Sequence, residues 1–128
     1  SDMHAFIIRG PSKSLLFLPD HDTWDETLAI HNSPSIREWL SKMAIDIALI
    51  DGTFWSEDEL GGRNQKDVPH PPVSHSLKML GARKQGDPDI LFTHLNHTNP
   101  LYNRQSEEWA EVERLCWSVA HQGQRFAL

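Results

Sequence analysis

Residues 45–55, IDIALIDGTFW, place Ile47, Ala48, Leu49 and Ile50 in an unbroken apolar run between Asp46 and Asp51. A strand with one wet face alternates apolar and polar residues. A strand that is apolar throughout suits burial on both faces, as in a sheet with a cover on each side. Two other segments read the same way: LLFLP at 15–19 and ILFT at 90–93. Helical patterns separate the three, which predicts the α/β class.

Working upstream, residues 4–9 are rich in strand formers, and GPSKS (10–14) is a turn before LLFLP, so the chain opens with a hairpin. DHDTWDE (20–26) reads as a polar segment after the second strand. SPSIREWLSKM (33–43) predicts a helix with Ser33 as N-cap, Pro34 at the first helical position, and Ile36, Leu40 and Met43 on one face. Downstream, SEDELGGRNQKDVPHPP (56–72) is a long polar loop without periodicity, the kind that usually serves function. PPVSHSLKMLGA (71–82) predicts a helix with Pro71 and Pro72 in its first turn and Gly81 just past its end. SEEWAEVERLCW (106–117) predicts another, capped by Ser106, with Trp109, Val112, Leu115 and Cys116 facing inward. SVAHQGQRFAL (118–128) closes as one or two short strands. The predicted architecture is a mixed sheet with helices on one face. Its other face requires a second sheet, or a larger whole, to cover it.

At 128 residues the chain is expected to form a single domain. A net charge of −6 lacks the footprint of phosphate neutralisation and argues against nucleic-acid binding. Its apolar runs are too short to cross a bilayer, so no membrane partner is expected. No secretory signal opens the sequence, and SDM reads as a cloning scar. One cysteine permits no internal disulfide, which points to a reducing, cytoplasmic setting. That cysteine, Cys116, lies between Leu115 and Trp117 and is expected to be a packed thiol.

Eight histidines are many for this length and hint at metal or acid–base chemistry. In open α/β sheets ligands sit beyond the carboxyl ends of the strands. Three covered strands end in suitable groups: Asp20, His21 and Asp22 after the first; Asp51 and Gly52 after the second; His94, with His97 and Asn99 beyond, after the third. His70 precedes a helix N-terminus. Parallel neighbouring strands would bring these onto one rim, and mixed carboxylate and imidazole donors suit zinc or iron(II). Each residue also has a structural alternative: Asp20 and Asp22 as turn or cap residues, Asp51–Gly52 as a turn, His70 as a surface residue. His4, His31, His75 and His121 have no convergent partner in this reading. His94 is in phase with Ile90 and Phe92, so its side chain is expected on a buried face.

LIDGTFW, a polar loop, PHPP, a helix, FTHLNHTNP, SEE and the terminal VAHQGQRFAL resemble pyrroloquinoline quinone (PQQ) biosynthesis protein B and its close relatives, of the metallo-β-lactamase fold superfamily. The resemblance implies that residues 1–128 correspond to the C-terminal half of an αββα sandwich. The superfamily's H-x-H-x-D-H metal motif is absent from this chain. Carried over by position, Asp20 and His94 are expected to hold metal, Asp51 to orient a ligand or water, and His70 to act as a general acid. His21, Asp22, His97 and Asn99 would line the site, with Asn99–Pro100 fixing the loop. The implied function is that of a metal-dependent, hydrolase-like protein with zinc or iron and an unidentified small-molecule substrate. The alternative is a non-catalytic binding or oligomerisation module. Either way, homo-oligomerisation or association with a missing N-terminal half is expected.

Overall fold

The computed structural model describes residues 4–60 and 70–128. The central part of the long polar loop read from the sequence, 61–69, and the SDM start lie outside the described residues. Five strands form one sheet in sequence order: β1 (Phe6–Arg9), β2 (Ser14–Leu18), β3 (Ile47–Asp51), β4 (Asp89–Thr93) and β5 (Ser118–Val119). β1 and β2 make the expected antiparallel hairpin, with Phe6 opposite Phe17 and Arg9 opposite Ser14. β2, β3, β4 and β5 run parallel to one another.

Helices fill the crossovers, as parallel neighbours require: α1 (Trp24–Ile30), α2 (Ile36–Lys42), α3 (Val73–Leu80) and α4 (Glu107–Arg114). The segment read as polar, 20–26, in fact contains the start of α1. Thr23 caps it, its hydroxyl accepting from Glu26 N, with acidic Asp25 and Glu26 in the first turn. α2 starts two residues later than expected. Ser35, not Ser33, is the N-cap, and its hydroxyl accepts from Glu38 N. Ser33 is instead tied to the end of α1, its N–H donating to Leu28 O at 2.9 Å. Ser106 caps α4 as expected, accepting from Trp109 N, and Gly81 ends α3 at φ 64°.

One face of the sheet packs on the helices. Leu16, Leu18, Ala48, Ile50, Ile90 and Phe92 meet Trp24, Trp39, Leu40, Leu77 and Trp117 in the main core. Fully burying side chains of this size contributes about 1.5–3 kcal/mol each. The opposite face is lined by Leu15, Ile47 and Leu91, which pack with Phe126 and Leu128 of the C-terminal segment. That segment does not continue as a second strand: Leu128 O accepts from Ser12 N and Lys13 N at 2.6 and 2.8 Å, pinning the tail across the hairpin turn. Edge strand β1 leaves Phe6, Ile7 and Ile8 exposed. Cys116 is exposed rather than packed. A left-handed backbone (φ 65°) after α4 turns it outward while Leu115 and Trp117 stay buried. Among the described residues no helix is long and apolar enough to cross a membrane.

Candidate functional site

Parallel pairing aligns the carboxyl ends of three strands. Leu18 lies opposite Ile50, and Asp51 opposite Thr93. The loops carrying Asp20, Asp51 and His94 therefore open on one edge. α3 is fastened to the same edge because Val73 N and Ser74 N donate to Phe54 O and Trp55 O, at 2.8 and 3.0 Å. That contact brings His70, three residues before the helix, over the end of β3. Gly52 is required at the crossing: a Cβ there would meet Thr93 O at 2.9 Å and Phe92 Cβ at 3.0 Å.

Asp51 is fully buried and serves as an acceptor. Its Oδ1 takes Thr53 N–H at 2.9 Å, and its Oδ2 takes His21 N–H at 3.2 Å. His70 Nδ1 lies 2.6 Å from the same Oδ2 and 3.5 Å from Asp20 Oδ1. The hydrogen bond to Asp51 raises the His70 pKa above its ordinary 6.5, against the opposing effect of burial. Asp20, Asp51 and His70 thus offer three ligand atoms within 4.8 Å of one another. Asp51 and His70 are the shielded members. Asp20, 68% exposed, forms the open side. One imidazole and two carboxylates match the donors of zinc, whose bonds of about 2.0–2.2 Å set ligands a few ångströms apart. Small side-chain rotations would gather these three around one ion.

His94 is placed on the same edge but outside this trio. Its ring centroid lies 6.2 Å from that of His70, and its Nδ1 lies 3.1 Å from Thr53 Oγ1. It is exposed, which corrects the expected buried face. β4 ends at Thr93, and a left-handed φ of 62° at His94 breaks the alternation that Ile90 and Phe92 establish. Burial is the rule instead for His21. Its Nδ1 pairs with Thr27 Oγ1 at 3.2 Å and its ring meets the Trp24 ring edge-on at 4.4 Å. Burial pushes its pKa down to about 4. Asp22 is half-buried beside it, and His97 is exposed. Asn99 is a buried brace: its amide donates to Gly52 O at 2.7 Å and its Oδ1 accepts from Leu101 N at 2.9 Å.

Thr53, which the sequence analysis does not single out, also joins this edge. Thr53 Oγ1 touches the Nδ1 of both His70 and His94. Its signal was parity: one residue past a buried strand-end Asp and a glycine, it points back toward the same edge.

No protein-family profile matches the chain. Coenzyme PQQ synthesis protein B of Cupriavidus necator is 37% identical over 90 residues, covering 65% of this chain and 29% of that protein. The Ruegeria pomeroyi protein of the same name is 34% identical over 85 residues, 62% of this chain and 29% of that one. The Acinetobacter baumannii one is 26% identical over 121 residues, 88% of this chain and 40% of that one. The crystal structure of Zn(2+)-bound PqqB from Methylobacterium extorquens matches with a TM-score of 0.57 at 25% identity, over 97% of this chain and 40% of that one. The chain therefore spans between 29% and 40% of the length of these relatives.

Proposed function

We propose that this chain, which is similar to coenzyme PQQ synthesis protein B and has the metallo-β-lactamase-type fold, contributes a metal-binding edge to a hydrolase-like reaction on a small molecule. The observation that carries the reading is the convergence of Asp20, Asp51 and His70 within 4.8 Å at the carboxyl ends of β2 and β3. Zinc is the favoured ion, because the donors are hard oxygen and imidazole nitrogen and the solved Methylobacterium extorquens relative is zinc-bound. When bound there, it would acidify a water and polarise a substrate oxygen. The chain's own groups do the rest. Asp51, saturated by two backbone N–H groups, holds the His70 ring in place. His70 keeps a proton at Nδ1 until a metal competes for that nitrogen. Asp20 faces solvent, where a ligand enters.

Three donors leave room in a four-coordinate shell. Water, or a donor from another polypeptide, completes it in this proposal. The alternative, a binding or self-association module, draws on β1, an edge strand with Phe6, Ile7 and Ile8 exposed.

Metal analysis separates the two. After dialysis against zinc and removal of excess, elemental analysis is expected to find one zinc per chain, lost in Asp20→Ala and His70→Ala. A folded wild-type chain that retains no zinc would defeat the metal reading. Sedimentation showing a dimer that Ile7→Lys dissociates would then favour the alternative.

A further inference from the structure

The loop that follows β4 is fastened at its root and open at its tip. Gly52 N donates to Thr93 O at 2.7 Å, Asn96 N to Thr53 O at 2.9 Å, and the Asn99 amide to Gly52 O at 2.7 Å. Beyond these bonds His97 and Thr98 are exposed. Among the described residues, the side chain that reaches this tip from another element is Glu59. It stands in the turn after Trp55 and takes Trp55 N–H on Oε1 at 2.8 Å and the Thr98 hydroxyl on Oε2. The Thr98 oxygen in turn accepts from the Asn96 amide at 2.8 Å. One half-buried carboxylate therefore bridges two segments. The first is 54–55, which α3 grips through Phe54 O and Trp55 O; the second is the loop that carries His94.

We propose that Glu59 is a positioning residue: its carboxylate spans from Trp55 to Thr98 and sets where His94 stands beside His70. The need for such a tie is local. His94 holds a left-handed φ of 62°, which L-residues other than glycine adopt at a cost. A loop strained at its root keeps its place only where its far end is held as well. What the site asks of Glu59 is reach rather than charge.

Small displacements matter here. The His70 and His94 rings are 6.2 Å apart, centre to centre. Imidazoles that share one tetrahedral zinc stand about 5 Å apart, given nitrogen–zinc bonds of about 2.0–2.1 Å. A shift of about an ångström in this loop thus decides whether His94 can join an ion held by Asp20, Asp51 and His70. The inference rests on the metal reading for its effect on zinc, but the tie holds the loop with or without an ion.

Substitution separates reach from charge. Glu59→Gln keeps the length, one oxygen for Trp55 N–H and an amide that can donate to Thr98 Oγ1. Glu59→Asp keeps the charge but is a methylene too short to span both. Two measurements are made on each chain. The first is the set of nuclear Overhauser contacts, without metal, between the His94 ring and the side chain of Thr53, whose Oγ1 lies 3.1 Å from that ring. The second is zinc affinity by competition with a chromophoric chelator. Wild type and Glu59→Gln are expected to show the contacts and to bind zinc alike. Glu59→Asp and Thr98→Val are expected to lose the contacts and to bind zinc about tenfold more weakly. Thr98 is exposed, so Thr98→Val tests the tie even where a Glu59 variant does not fold. Zinc affinity unchanged in Glu59→Asp and Thr98→Val, whatever their stability, would overturn the proposal. So would the reverse order, with Glu59→Asp like wild type and Glu59→Gln weak, which would assign Glu59 to the charge of the site. A wild-type chain that shows the contacts and binds no zinc loses the metal reading. The contacts in Thr98→Val then decide this inference by themselves: their loss upholds it and their persistence sinks it.

Discussion

The two ends of the sheet carry polar clusters of opposite character. At the amino end, Arg37 of α2 closes on Asp87, just ahead of β4. Arg37 Nε lies 3.0 and 2.9 Å from the two carboxylate oxygens. Its other nitrogens donate to Leu80 O and, at 2.8 Å, to Ala82 O, while the guanidinium faces the Trp117 ring at 5.8 Å. Lys84 N fills the same carboxylate. Every guanidinium nitrogen has an acceptor, and the cluster holds a helix to a turn. At the carboxyl end, Asp51 is as well satisfied, but it supports groups that are not. Asp20 and His94 are exposed: Asp20 Oδ1 lies 3.5 Å from Nδ1 of the His70–Asp51 pair, and His94 stands beside that pair on Thr53. Polar groups that close on each other act as structure, whereas polar groups held firmly from behind and left open in front are free to bind.

The largest difference is expected from removing the carboxylate that does the holding. Asp51→Ala strands two backbone N–H groups and His70 Nδ1 in a buried place and leaves a cavity. The cost is expected to be about 3–5 kcal/mol in urea unfolding. Asp51→Asn keeps one acceptor oxygen, so it is expected to lose less stability while still losing zinc. A loss under about 1 kcal/mol for the alanine variant would mean water serves these donors, and the contrast between the ends would weaken.

Next in size is an acid effect confined to the carboxyl end. A histidine whose folded pKa lies below 6.5 takes up a proton on unfolding, so acid favours the unfolded chain. For His21, at about 4, the stabilisation is complete above pH 6.5 and lost as pH falls toward 4. That loss amounts to about 2 kcal/mol by pH 5 and about 3 kcal/mol by pH 4. His70 runs the other way: its raised pKa adds stability below 6.5 that disappears as pH rises through its folded value. In the metal-free His70→Gln variant the opposing slope is gone, and unfolding free energy is expected to drop by the full His21 amount between pH 7 and pH 5. A flat profile in that variant would show that His21 is hydrated in the folded chain.

Much of this contrast was legible in the sequence because it depends on strand direction and punctuation. The apolar runs at β2, β3 and β4, each followed by acids or histidines, were enough to predict one shared edge. Ser106 and Gly81 marked helix ends through local chemistry alone. What escaped depends on geometry that one-dimensional spacing does not encode. α1 was hidden because its capping pair, Thr23 and Glu26, sits inside a charged stretch that reads as loop. His94 was misplaced because a left-handed residue undoes strand parity, and nothing in FTHLN announces one. The tail from 120 packs across the far face because Phe126 and Leu128 fit against Leu15, Ile47 and Leu91. A sequence pattern shows that those two residues are apolar, but not what they lie on.

The smallest effect is expected at the closed end, and it is the one that most sharpens the contrast. Arg37→Ala removes the ion pair with Asp87 and two donors to backbone carbonyls, at a site where the pair is partly shielded, with side-chain exposures of 24% and 11%. Partial solvent access limits the loss to about 1–2 kcal/mol. Arg37→Lys is expected to recover little of it, since an ammonium cannot span a carboxylate and two carbonyls as the planar fork does. Zinc stoichiometry should be the same in wild type, Arg37→Ala and Arg37→Lys, because the sheet's length separates this cluster from Asp20, Asp51 and His70. Urea unfolding and zinc analysis on one set of samples measure both quantities. Loss of zinc along with stability in Arg37→Ala would mean that the amino end helps set the geometry of the carboxyl end, and that the two clusters are parts of a single device.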